Sequence, residues 1–218
     1  MAVKRAIVFD FYGVLVDSWE HHATAWREAL AEFGGSVEDE ALVKILGLST
    51  MQSAERLVED SDPAISPGEL AAVKDERFRA TASELKPMAS AVEAVKRLSE
   101  LFPIAVVSQH EDGIVSEFID RVGLRDNVSV VLSTADLGEG ETFDDMLVHA
   151  AAELTTPPER IVLIEDSRNG VISGKRVGLK VIAFDSHPNF NVDYSIADAQ
   201  IGSLDELVPE LIAQVTAA

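Results

Sequence analysis

Three short apolar runs in this 218-residue chain each finish on side chains able to do chemistry. Ala6–Asp10 ends on Asp10, Pro103–Ser108 on Ser108, and Arg160–Asp166 on the adjacent acids Glu165 and Asp166. Carboxylates are hard oxygen donors, so a set of them suits a cation such as Mg2+, which takes oxygen ligands and keeps part of its water shell. An aspartate can also act as a nucleophile and carry an acyl-phosphate or ester intermediate. A metal beside Asp10 would screen its repulsion from an anionic substrate and stabilise the charge that develops on transfer. One polar residue after a buried strand carries little information, because something polar must follow it. Three that meet at one sheet edge make a site.

Meeting at one edge requires a particular architecture. The three runs are continuous rather than alternating, as in parallel strands covered on both faces. Val128–Leu132 and Leu179–Phe184 read as further strands of the same sheet. Helical patterns lie between the strands, at Ala91–Leu101, Ile114–Val122, Phe143–Leu154 and Gly170–Val177. The alternation predicts an α/β fold with a doubly wound parallel sheet, in which ligands bind at the carboxyl ends of the strands. Residues 18–85 differ, with helical periodicity at His22–Phe33, Glu38–Ile45, Met51–Val58 and Pro67–Ser83 and no convincing strand. Gly34-Gly35 and Ser61-Asp62-Pro63 supply breaks between these helices. The expected organisation is a core of residues 1–17 and 86–218 with an all-helical insert, a lid of the kind that excludes water on closure. Its hinges fall near Leu15–Ser18 and Leu85–Met88.

The composition is that of an ordinary soluble globular protein, 47% hydrophobic and 26% charged. No apolar run approaches the roughly 20 residues of a membrane span. The N-terminal apolar stretch reaches Asp10 too soon for a signal peptide and reads as a first strand. The absence of cysteine excludes disulfides and thiolate ligands and fits a reducing, cytoplasmic interior. A net charge of -20 repels phosphate backbones and disfavours nucleic-acid binding. The expected partner is a small-molecule substrate, with no nucleic acid or membrane, and the expected state is a monomer or weak dimer.

Phe9-Asp10-Phe11-Tyr12-Gly13-Val14-Leu15-Val16-Asp17-Ser18 resembles the first motif of the haloacid dehalogenase superfamily of hydrolases. Val106-Val107-Ser108 resembles its second motif, and Ile164-Glu165-Asp166-Ser167-Arg168-Asn169-Gly170-Val171 its fourth, with Pro158-Glu159-Arg160 ahead of that strand. The helical insert resembles the small cap of the phosphoglycolate phosphatase and β-phosphoglucomutase branch. The resemblance covers nearly the whole chain and implies a Rossmann-like core with Asp10 as nucleophile. It implies Mg2+ held by Asp10, the Tyr12 carbonyl and Asp166, with Glu165 as a supporting acid. Ser108, Gln109, His110 and the backbone around Phe11 and Gly13 would bind the transferring group. His22 sits where phosphomutase relatives place a cap histidine near the nucleophile. Ser167 and Asn169 would orient the acidic loop and open the following helix.

Two positions depart from the motifs. Phosphatases of this family carry a second Asp two residues after the nucleophile, as leaving-group acid and later base; here Tyr12 stands there. A phenol, with an unperturbed pKa of about 10, can donate a proton but is a poor base at neutral pH. Haloacid dehalogenases carry Tyr at this position, because a halide needs no proton, yet they lack the Glu165-Asp166 pair. The family also places a lysine where this chain has Gly140-Glu141-Thr142, so Glu141 replaces a cation beside the substrate. Arg168 and Lys175 are the basic residues near the fourth motif. Three readings stay open: a Mg2+-dependent phosphatase of a small metabolite, which is favoured, a dehalogenase-type hydrolase, and a catalytically impaired binding protein.

Overall fold

Ala6-Ile7-Val8-Phe9-Asp10 offers no polar group until its last residue, and it forms a strand with every residue buried. The computed structural model describes residues 4–60, 65–110, 113–187 and 190–217. In chain order its strands are β1 (Ala6–Asp10), β2 (Val16–Asp17), β3 (Lys86–Pro87), β4 (Ile104–Ser108), β5 (Val130–Ser133), β6 (Ile161–Glu165), β7 (Lys180–Phe184) and β8 (Ala199–Ile201). The helices are α1 (Trp19–Glu32), α2 (Asp39–Lys44), α3 (Thr50–Asp60), α4 (Pro67–Thr81), α5 (Ala91–Ser99), α6 (Ile114–Arg121), α7 (Phe143–Glu153), α8 (Arg168–Arg176) and α9 (Pro209–Val215). The chain divides into two compact units, Met1–Asp17 with Pro87–Ala218, and Ser18–Lys86.

The first unit holds a six-stranded sheet in the order β5-β4-β1-β6-β7-β8, with every neighbouring pair parallel. The chain builds outward from β1 through β4 to β5, then returns to the other side of β1 with β6. The strand order therefore reverses between β1 and β6, where open α/β sheets leave a crevice for ligands. Register fixes what stands there. Asp10 lies across from Val107 and Phe9 across from Ile164, so one further step brings Asp10 level with Glu165.

Successive side chains point to opposite faces of a strand. Ala6, Val8, Ala105, Val107, Ile161, Leu163, Val181 and Ala183 join Met146, Leu147 and Ala150 of α7 and Val171 of α8 in one core. The alternate set, Ile7, Phe9, Val106, Val162 and Ile164, is equally buried, and α5 packs against β4. Two covered faces explain the uninterrupted apolar runs, and each buried Val, Leu or Ile contributes about 1.5–3 kcal/mol. Gly174 lets α8 approach the sheet, since a Cβ there would lie 2.7 Å from Leu163 Cδ2 and 2.8 Å from Val181 Cγ2.

The second unit is helical. From α1, Ala23, Trp26 and Leu30 recur at the spacing of one helix face and pack with Leu42, Leu57 and Leu70. Gly34, at φ 78°, closes α1: its amide reaches the Ala31 carbonyl at 3.0 Å and that of Gly35 reaches Leu30 at 2.9 Å. That is a Schellman ending, which the left-handed conformation of glycine permits. Ser61-Asp62-Pro63 lies outside the described residues. Lys74 is 0% exposed within this unit. Its Nζ lies 3.1 Å from Asp75 Oδ1 and 3.5 Å from Thr50 Oγ1, over the rings of Phe78 (4.9 Å) and Trp26 (5.5 Å).

Element ends differ from the sequence expectation in modest ways. Helix α1 begins at Trp19 rather than His22, and α4 stops at Thr81, followed by a 3-10 turn over Ala82–Glu84. Strand β5 is displaced to Val130–Ser133, because Ser129 spends its amide on Ile104 at 2.8 Å before the ladder starts. Neither β8 nor α9 has a pattern long enough to announce it. Among the described residues, no helix is long and apolar enough to cross a membrane.

Candidate active site

Asp10, at the end of β1, and Glu165 and Asp166, at the end of β6, each offer a carboxylate oxygen within 4.8 Å of the others. They are 9%, 1% and 7% exposed. Burial raises all three carboxyl pKa values, because it penalises the charged form. Asp10 is driven well above the ordinary carboxylate range by burial and then by Glu165 and Asp166, against a smaller lowering by the Phe11 amide. Burial followed by the Asp166 charge pushes Glu165 up to about 8, and burial pushes Asp166 to about 7. Among the described residues no Lys or Arg pairs with the cluster: Arg168 turns to Asp193 at 3.6 Å and Lys175 to Asp198 at 2.5 Å.

The turn after β6 shapes the acids. Ser167 donates both its amide (2.9 Å) and its hydroxyl (2.6 Å) to Glu165 Oε1, and its Oγ accepts the Gly170 amide at 2.9 Å as the N-cap of α8. Glu165 Oε2 is left buried with no hydrogen-bond partner among the described residues. Such an oxygen costs about 1–3 kcal/mol or more unless something neutralises it. On Asp166, Ser186 donates to Oδ2 at 2.9 Å, and the buried Tyr194 hydroxyl donates to the main-chain carbonyl. Burial and the surrounding carboxylates raise the Tyr194 phenol, keeping it a donor.

Two glycines make room for this arrangement. A Cβ on Gly13, whose φ is +80°, would fall 1.9 Å from Asp166 Oδ2, and one on Gly170 would fall 2.2 Å from Glu165 Cδ. The donor set of three clustered carboxylate oxygens, among the described residues one orphaned and none offset by a cationic side chain, fits a hard divalent cation.

Other predicted residues fall into different settings. Ser108 is fully buried, its Oγ accepting the His110 amide at 3.3 Å. The Tyr12 ring stands edge-on to His110 at 5.0 Å and to Phe11 at 4.7 Å. The Phe11 side chain is core, against Phe118 at 5.3 Å, so only its backbone can serve a ligand. Gln109 is half-buried just past β4. His22 belongs to the helical unit and stacks on Phe78, centroids 3.9 Å apart.

Glu141 is held locally. It accepts the Gly138 amide at 2.7 Å, meets His149 Nε2 at 3.0 Å, and has its pKa lowered by both. It is not among the charges that raise Asp10. Ser186 and Tyr194 carry no motif that marks them in the sequence, and only the fold brings them to Asp166.

Comparison with known proteins gives the same frame. The family described as haloacid dehalogenase-like hydrolase matches residues 7–184. A bifunctional riboflavin kinase/FMN phosphatase of Arabidopsis thaliana is 27% identical over 93% of this chain, which spans 54% of that longer protein. Fructose-1-phosphate phosphatase YqaB of Escherichia coli is 24% identical over 81% of this chain and 94% of its own length. Among solved structures, CbbY from Rhodobacter sphaeroides in complex with phosphate superposes with a TM-score of 0.78 at 25% identity, covering 94% of this chain and 96% of that one.

Proposed function

The chain belongs to the haloacid dehalogenase-like hydrolases, and from that premise we propose that it is a Mg2+-dependent phosphatase of a small phosphorylated metabolite, with Asp10 as nucleophile. The observation that carries this reading is the buried carboxylate cluster with its orphaned Glu165 Oε2 at the strand-order reversal. Relatives named as phosphatases of FMN and of fructose 1-phosphate support a phosphate ester as substrate.

Asp10, Asp166 and the Tyr12 carbonyl would hold the cation, with Glu165 supporting them. Bound there, Mg2+ supplies positive charge against which an anionic phosphate can approach three carboxylates. A carboxylate oxygen of Asp10 attacks phosphorus, the bond from phosphorus to the ester oxygen breaks, and the phosphoryl group rests on Asp10. The departing alkoxide takes a proton, which the Tyr12 phenol can give. Water then attacks the same phosphorus and its proton passes to the Tyr12 phenolate or to solvent, which releases inorganic phosphate and restores Asp10 and Tyr12. Ser108, Gln109, His110 and the amides beside Phe11 hydrogen-bond the phosphoryl oxygens. At neutral pH solvent returns a proton to the phenolate, and the neutral phenol so formed is a poor base, so the second, hydrolytic half is the slow one.

The test is phosphate release across a broad ester panel with Mg2+, combined with borohydride or phosphate-mimic trapping and mass spectrometry. Turnover with an adduct on Asp10 is the expected result. Neither turnover nor adduct overturns the reading. Mg2+-independent halide release from 2-haloacids replaces it with displacement at carbon, the chemistry Tyr12 favours.

A further inference from the structure

We propose that Ser186 and Tyr194 are positioning residues that set Asp166 for metal binding. The inference rests on the Mg2+ reading of the cluster and extends it to a segment that the family match, ending at residue 184, does not reach. Asp166 needs its carboxylate aimed at the position shared with Asp10 and Glu165, and its own strand cannot do this alone. Strand β6 stops at Glu165, so Asp166 sits on a turn between strand and helix.

Two donors from the far side of β7 fix that turn. The Tyr194 hydroxyl holds the Asp166 carbonyl, which pins the peptide plane and with it the direction of the side chain. The Ser186 hydroxyl, 2.9 Å from Oδ2, occupies one carboxylate oxygen and leaves Oδ1 for a cation. Ser167 does the parallel work on Glu165, engaging Oε1 and leaving Oε2 bare. Each of the two acids thus has one oxygen tied to the protein by a hydroxyl. Gly13 closes the remaining side of Asp166, where a Cβ would overlap Oδ2. Tyr194 is itself anchored, 7% exposed in the same core as Leu163 and Val181.

Groups that orient metal ligands in this way affect affinity by about 10–100-fold when removed. Calorimetric titration of Mg2+ into the intact wild-type chain, Ser186→Ala and Tyr194→Phe tests the idea, with Asp166→Asn as the reference for lost binding. Each variant is expected to bind Mg2+ about 10-fold or more weakly. The Mg2+ concentration for half-maximal phosphatase activity should rise in step, while kcat at saturating Mg2+ stays within about two-fold of wild type. A purely structural role would lower the metal-free melting midpoint and leave Mg2+ affinity alone. Ser186, partly exposed, carries the test if Tyr194→Phe melts early. Wild-type affinity in both variants overturns the inference alone; loss in one variant assigns the role to that residue and removes it from the other. A wild-type chain that binds no Mg2+ overturns the functional reading and this inference together.

Discussion

Both units bury charge, and they handle it in opposite ways. Lys74 in the helical unit is fully enclosed, yet Asp75, Thr50 and the faces of Phe78 and Trp26 surround its ammonium group. The carboxylates of Asp10, Glu165 and Asp166 have one another for neighbours and, among the described residues, no cationic partner and one oxygen with nothing to bond. A buried charge matched from within is part of the packing. A group of like charges left unmatched is what a site for an external cation would need, and burial together with mutual repulsion raises its carboxyl pKa values.

The contrast can be broken most sharply at Asp10. Asp10→Asn should lower turnover by roughly 10^4-fold or more, as loss of a covalent nucleophile does, while the metal-free melting midpoint holds or rises because one repelling charge is gone. A lowered midpoint would make the cluster structural after all. Gly13→Ala comes next. Its φ of +80° and the 1.9 Å approach to Asp166 Oδ2 predict about 1–3 kcal/mol of lost stability together with weakened Mg2+ binding. Wild-type calorimetry in that variant would remove Gly13 from the argument.

The acids also set a pH dependence whose sign follows from their raised values. Without metal, the folded chain keeps protons that the unfolded chain releases near pH 4, so stability falls as pH rises from there to about 8, the folded value of Glu165. If the cluster is the metal site, saturating Mg2+ should displace those protons and flatten the fall. Denaturant midpoints at several pH values, with and without Mg2+, measure it; a slope unchanged by Mg2+ would mean that the cluster is not the metal site. Lys74→Met should cost less, about 1 kcal/mol, because Asp75 is 47% exposed and rehydrates when left alone. A loss of several kcal/mol would show Lys74 to be an uncompensated charge like the acids. Smallest of all, Glu141→Gln should leave the denaturant midpoint and the Mg2+ affinity indistinguishable from wild type, because its partners Gly138 and His149 are local and solvent screens the pair.

Much of this was readable from residue order, and the reasons are physical. Strands β1, β4 and β6 are buried on both faces, so their runs are apolar until the sheet ends, and the first polar residue of each marks the edge where ligands bind. Asp10, Ser108, Glu165 and Asp166 are legible for that reason. Strand β8 carries no such signature, because Ala199-Gln200-Ile201 is short and only partly buried at a sheet edge. Glu141 is legible as an odd residue in its motif, but its attachment to Gly138 and His149 depends on a loop whose path no periodicity describes. Ser186 and Tyr194 are the clearest case: nothing in their own types or spacing points to Asp166, and parallel pairing across β6 and β7 alone delivers them there.

That parallel pairing has a consequence for how the protein is made. Ala6 pairs with Ile161, so β1 must wait for all of the chain up to β6 before its second neighbour exists. Closing so long a loop is entropically slow, and sheets dominated by distant contacts fold late. The three acids come together only with that closure, and the Asp166 carbonyl gains its hydroxyl partner only once Tyr194 has been added. On the proposed reading, Mg2+ binding would follow the pairing of β1 with β6, because before it the acids are scattered along the chain.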